Sequence, residues 1–407
     1  MPPTSLKEQS VKDIEALIEE ASIDRFAGLP CAGAVIVGDG RKVTEALVEV
    51  IDESADVYWL ASCTKLVTSI ACLQLVDKGV LELDNADQVE RLCPELRDVK
   101  IATRDGRLVE KLTRITLRSL LTHTSGFGYS FLSPSLEAHQ STIGKPQFDE
   151  FSGFEHDLHQ PLVNQPGMDF QYGISHDWAG ILIQRATGEH LNDYMQKNIF
   201  QPLDVKSMTM FPDNDLQSRL AGMWQRGPDG QLSPRQYPLS RALDATLIGE
   251  TFNSGGAGLY GTLRDFSQIL IALLNNGLSP STRQRILEPE AVKALFTNQI
   301  PEQPDFARVP QPASKPDLVY ATDELYPLCP SGKPQGWGLG TMISPSFTGR
   351  SDSTAHWCGL SNVFWWCDMD KGVAGIVGTQ VLPFIDPKAA ELWATVESKV
   401  YEGLEAK

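Results

Sequence analysis

The stretches of this chain that read as β-strands sit near its two ends, and that distribution limits the folds open to it. Residues 31–38 form a short apolar run ending in the turn signal Gly38-Asp-Gly-Arg41, and 43–51 follow as its partner, so the two read as a hairpin. The next strand-like runs, 336–343, 362–367 and 372–380, come only in the last third. Helical patterning fills much of the rest: 10–27, from Ser62 to about Asp77, from Ile115, 178–188, 191–199, 263–275 and a closing helix over 385–402. The ends are therefore expected to share one sheet. This is an α/β (α+β) reading, an antiparallel sheet flanked by helices. The sheet-containing part is 1–80 and 255–407, and the mostly helical or irregular part, 81–254, is inserted. The irregular and polar 203–250 reads as a cover over a site, and the proline-rich 301–335 as a surface excursion.

The stretch Leu60-Ala-Ser-Cys-Thr-Lys-Leu-Val67 stands at the head of one of these helices. A serine followed three residues later by a lysine can present both side chains on one helix face. At a helix start, free N–H groups and the positive end of the dipole favour a developing anion. A lysine there can take the hydroxyl proton if burial or its neighbours suppress its charge. Alone the motif is weak, since residue usage yields it about once in a chain of this length. Its bland reading is a capped helix with a solvated lysine. A second base and an oxyanion site are needed to lift it above that.

Composition narrows the function classes. A net charge of −17 argues against nucleic acid or anionic membrane as partner. Seven cysteines, an odd number with no Cys-x-x-Cys pair, favour reduced thiols and a cytoplasmic setting. The N-terminus has no signal-peptide core, and no run of about 18 apolar residues occurs to span a membrane. No Gly-x-Ser-x-Gly elbow suggests an α/β-hydrolase. No His-x-x-x-His pair or Cys/His cluster suggests a metal, and no cofactor is expected.

Five motifs in order carry a resemblance. They are Ala61-Ser-Cys-Thr-Lys65, Ile115-Thr-Leu-Arg-Ser-Leu-Leu-Thr-His-Thr-Ser-Gly126, Pro166-Gly167 with Tyr172-Gly-Ile-Ser175, Gly255-Gly-Ala-Gly-Leu259 with Thr262, and His356-Trp-Cys-Gly-Leu360. Over nearly its whole length the chain resembles the serine β-lactamase and penicillin-binding-protein superfamily, on the class C and esterase branch. Tyr172-Gly-Ile-Ser-His-Asp-Trp-Ala-Gly180 resembles most the fungal lovastatin-type acyltransferases. The resemblance implies a β-lactamase-like fold, with Ser62 as nucleophile and Lys65 and Tyr172 as the base system. It also implies an oxyanion hole from the N–H groups of Ser62 and Leu360. The reaction implied is acyl transfer from a thioester, on CoA or the acyl carrier protein of a polyketide synthase, to a hydroxyl of a polyketide-like small molecule. Hydrolysis of small esters by the same residues is the alternative. A tyrosine serves as base only if a nearby cation lowers its pKa, and the order in which Lys65 and Tyr172 take the proton stays open here.

Departures from the family pattern carry information as well. Where Lys-Thr-Gly is usual, this chain has Trp357-Cys358-Gly359, and where Tyr-x-Asn is usual it has Tyr172-Gly173-Ile174. The cation and the amide that suit a β-lactam are gone, so both changes point to apolar acyl groups. Trp357, Cys358, Gly359, His356 and Ile174 are the expected substrate-binding residues. Tyr129, Phe131, Trp224 and Trp337 are further candidates for the pocket wall. His123 reads as a structural hydrogen-bonding residue, and His176 and Asp177 as anchors of the following helix. An inactive binding protein on this fold is the contrasting class, and intact Ser62, Lys65 and Tyr172 speak against it.

Overall fold

The computed structural model describes residues 4–405 except 25, 41–44, 53, 145–147 and 326–328. Its centre is a seven-stranded antiparallel sheet. In spatial order the strands are Val48–Val50, Gly33–Gly38, Val373–Gly378, Val363–Asp368, Ala355–Gly359, Met342–Ile343 and Gly336–Trp337. The first hairpin pairs directly with a strand more than 300 residues later, Ile36 lying opposite Gly375. The central strands are buried on both faces, which explains why they read as continuous apolar runs and not as alternating ones. The first residues of the expected 43–51 strand, 43 and 44, lie outside the described residues.

Helices cover both faces. Glu8–Ile23 packs against the closing helix Pro387–Gly403, and Leu263–Leu274 packs on the strands Gly33–Gly38 and Val373–Gly378. The helices Leu263–Leu274 and Pro387–Gly403 each start on a side-chain cap. Asp386 accepts from the N–H groups of Lys388 and Ala389, and Thr262 from that of Asp265. The Thr64–Asp77 helix is buried almost all round and packs against Ser175–Thr187. A helix with no polar face lies inside the molecule.

Two sequence expectations change. The region 203–250 is less irregular than expected: Trp224–Arg226 pairs with Leu232–Pro234 and, in parallel, with Val381–Leu382. The proline-rich 301–335 is no excursion. Gln311 and Thr322 pair across it, Val319 bridges to Phe384, and Val319 and Leu325 are buried.

Candidate active site

Ser62 lies in a single 3-10 turn, Ala61–Cys63, that leads into the Thr64–Asp77 helix. Ala61, just before it, has φ +45°, a left-handed conformation that costs a non-glycine residue about 1–3 kcal/mol and is held by its surroundings. Three side chains of the helix start tie it to the glycine-rich bend after residue 254. Thr64 Oγ1 accepts from the N–H of Leu259 (3.0 Å), Thr68 Oγ1 donates to Gly255 O (2.7 Å), and Lys65 Nζ donates to Gly256 O (2.9 Å). Asp177 secures the bend from its other side, accepting from Ser254 Oγ at 2.6 Å and from the N–H of Gly256 at 3.0 Å. Asp177 thus holds the bend, a role beyond anchoring its own helix. His176 reaches Ser69 Oγ on the buried helix at 3.1 Å.

Lys65 Nζ also lies 3.0 Å from Ser62 Oγ and 2.9 Å from Tyr129 Oη. From the sequence Tyr129 reads only as a wall residue, a tyrosine in the glycine loop after Gly126. Tyr172 comes to the same place differently. Lys65 Nζ sits over its ring, 4.8 Å from the centroid, and Trp357 Nε1 donates to its Oη at 3.0 Å. The Ser62 hydroxyl lies against both phenols.

Burial sets the charges. Lys65 is fully enclosed, and desolvation draws its pKa down to about 7, against the opposing pull of Asp177. The same burial pushes both Tyr129 and Tyr172 above the ordinary phenol value. The expected lowering of Tyr172 by a neighbouring cation is outweighed. The arrangement therefore pairs a lysine that is about half unprotonated near neutral pH with two phenols that keep their protons.

The strand Ala355–Gly359 forms one wall. A Cβ on Gly359 would lie 2.4 Å from Leu60 O, so only glycine lets this strand end close against the Ser62 turn and bring Leu360 beside it. Ser62 opens into a cleft of about 570 Å³, its open mouth included, whose lining includes Phe131, Phe151, Tyr172, Val319, Phe384 and Trp357 to Leu360. No charged side chain is among the described residues that line it. The 311–325 segment supplies much of the far wall, and 203–250 supplies none of it.

Trp357, Cys358 and Gly359 line the Ser62 cavity, and His356 and Ile174 do not. His356 turns into a buried polar cluster, 2.9 Å from Ser344 Oγ and 3.1 Å from Arg350 Nη2. Ile174 is wholly buried at the start of the Ser175–Thr187 helix, away from the cavity lining. Trp224 belongs to its short sheet, and Trp337 packs behind Trp357 with ring centroids 4.7 Å apart. Neither ring nitrogen of buried His123 has a hydrogen-bond partner among the described residues, so its structural part is ring packing, 4.8 Å from Tyr172 and 5.1 Å from Trp337. No group of three or more potential metal ligands occurs among the described residues.

The family model described as beta-lactamase matches residues 20–314. The chain is a member of the beta-lactamase family. Within it, the chain belongs with acyl-transferring and ester-cleaving enzymes. It is 32% identical over 364 residues to monacolin J acid methylbutanoyltransferase of Aspergillus terreus, covering 84% of this chain and 81% of the relative. It is 31% identical to lovastatin esterase of Penicillium rubens, with 85% of each covered. Among solved structures, a mutant simvastatin synthase from Aspergillus terreus superposes with a TM-score of 0.74 at 27% identity over 98% of both chains. This beta-lactamase-family member therefore has the β-lactamase-like fold that its motifs implied.

Proposed function

We propose that the chain transfers an acyl group from a thioester to the hydroxyl of a polyketide-like small molecule through an acyl-enzyme on Ser62. The observation that carries this reading is a buried lysine, poised to be neutral, 3.0 Å from a serine at the floor of an uncharged cavity. Lys65 takes the Ser62 proton as Oγ attacks the thioester carbon. The N–H groups of Ser62 and Leu360 receive the oxyanion. The C–S bond breaks, and the sulfur leaves as a thiol with that proton. In the second half the acceptor hydroxyl attacks the ester carbon and passes its proton through Tyr172, whose hydroxyl lies against Ser62, back toward Oγ. The Ser62 C–O bond breaks, and Oγ recovers the proton. Tyr172, neutral and fixed by Trp357, serves as relay and Lys65 as base.

CoA or the acyl carrier protein of a polyketide synthase is the proposed donor carrier. None of the seven cysteines is in a disulfide, which suits a reducing cytoplasm. Among the described residues no helix is long and apolar enough to cross a membrane. Hydrolysis is the second reading, favoured by the relative named lovastatin esterase, because both reactions share one acyl-enzyme. Transfer outruns water only when the acceptor is bound and oriented, an advantage that can reach about 7–11 kcal/mol. The test supplies an acyl thioester with a polycyclic alcohol and measures the products. Ester formation supports transfer; free acid with every acceptor, together with rapid cleavage of simple esters, makes the chain an esterase.

A further inference from the structure

A second chamber lies beside the Ser62 cavity. It shares Leu132, Tyr172, Gln311 and Leu325 with that cavity and measures about 1230 Å³, its open mouth included. Tyr172, the proposed relay to the acceptor, therefore faces both spaces. Arg104 is the one charged side chain among the described residues that line the second chamber. It is exposed, and no described carboxylate pairs with it. Its chain neighbour Asp105 is engaged instead by Thr103 and by Arg107, at 2.7 Å. The turn that carries Arg104 is pinned at both ends. Thr103 and Arg107 bond through their backbones at 2.8 Å, and His139 Nδ1 meets Gly106 O at 2.9 Å.

We propose that Arg104 holds the anionic end of a substrate whose reactive end lies at Tyr172 and Ser62. The inference rests on the transfer reading above and adds to it a site and a ligand chemistry. An anion inside the uncharged Ser62 cavity would lose its hydration without a partner. A guanidinium at the chamber rim offers a forked pair of donors to a carboxylate or a phosphate while leaving the anion partly in water. On a chain of net charge −17, an unpaired cation on a chamber that Tyr172 also lines is the natural place to hold an anion. The anion has two possible sources: the carboxylate of a hydroxy-acid acceptor, or the phosphate of a thioester carrier.

Two ratios separate them. The first compares monacolin J acid with its methyl ester as acceptor. The second compares butyryl-CoA with the butyryl thioester of N-acetylcysteamine as donor. In the wild type one ratio of kcat/KM favours the anionic member by about tenfold, since a hydrogen bond to a charged group contributes on that scale. Arg104→Gln brings that ratio close to one, Arg104→Lys keeps part of it, and added salt lowers it in the wild type. Whichever ratio responds names the source. If neither ratio changes in Arg104→Gln, the site is overturned. If Ser62 takes up no acyl group from any donor, the transfer reading itself fails. An acyl-enzyme that yields only free acid with both acceptors overturns transfer as well, leaving the donor ratio to decide Arg104.

Discussion

Lys65 concentrates the chemistry in one side chain, so its protonation should be visible in both rate and stability. Ser62→Ala is expected to abolish the acyl-enzyme seen by intact mass. Lys65→Ala and Tyr172→Phe should each lower turnover by about 10²- to 10⁴-fold. In the proposed mechanism the three act as a unit, so the Lys65→Ala/Tyr172→Phe double variant should be little worse than the poorer single one. Acylation, followed as a p-nitrophenol burst, should rise with pH through about 7 and then level as Lys65 loses its proton. A rate still climbing above pH 10 would assign the base to a phenolate instead. The stability sign follows from the same shift. The Lys65 pKa is about 7 when folded, against about 10.4 in the unfolded chain. The unfolded chain therefore binds more protons between those values, and stability rises with pH across that window. Below pH 7 the cost of burying the ammonium is fully present. Denaturant titrations should show the wild type gaining stability relative to Lys65→Met between pH 7 and 9.5. Equal gains would show that Lys65 keeps its unfolded pKa in the folded protein and is not desolvated.

At the scale of elements, the Ala355–Gly359 strand and the Ser62 turn form one unit held by close approach. Gly359→Ala places a methyl group 2.4 Å from Leu60 O, so the strand must retreat from Ser62 and Leu360 with it. The expected result is loss of acylation well beyond any fall in Tm, read by burst amplitude beside a thermal melt. Trp357, in the place of the family's lysine, adds an apolar wall and fixes Tyr172, and nothing there pairs with a β-lactam carboxylate. Nitrocefin turnover should therefore be negligible; a rate on the order of 10 per second, ordinary for enzymes, would refute this. Cys358 lines the same cavity, with burial holding its thiol pKa up. It should react slowly with thiol reagents, activity should fall as it is labelled, and substrate should protect it. Full activity with Cys358 fully alkylated would remove it from the site.

For the molecule as a whole, long-range pairing holds the site together. The division into 1–80 with 255–407 and an inserted 81–254 remains our proposal, and the buried Thr64–Asp77 helix is where the two parts meet. Behind the sheet, Arg350 and Glu397 form an ion pair at 3.5 Å with both side chains fully buried, and His356 is bound to the same arginine. Arg350→Met would strand the Glu397 charge, at a cost of about 3–5 kcal/mol. Denaturant unfolding should show this as a lower midpoint with an unchanged slope. A midpoint close to that of the wild type would mean that the cluster is expendable.

By itself the sequence determined what depends on short spacing or on the identity of one residue. Ser62 and Lys65 are three residues apart at a helix start, so the backbone alone brings them together. The motif order disclosed the fold, and Trp357 announced a site without its usual cation. Tertiary structure decided whatever depends on enclosure. The lowered pKa of Lys65 exists only because the molecule surrounds it, and Tyr129, 64 residues away, reaches it only through the fold. His356 shows the limit from the other side. Its neighbours in sequence line the cavity, yet partners at Ser344 and Arg350 draw it into the interior. The proline-rich 311–325 wall carries no periodicity that marks it, because an irregular segment is placed by what it packs against and not by a repeat of its own.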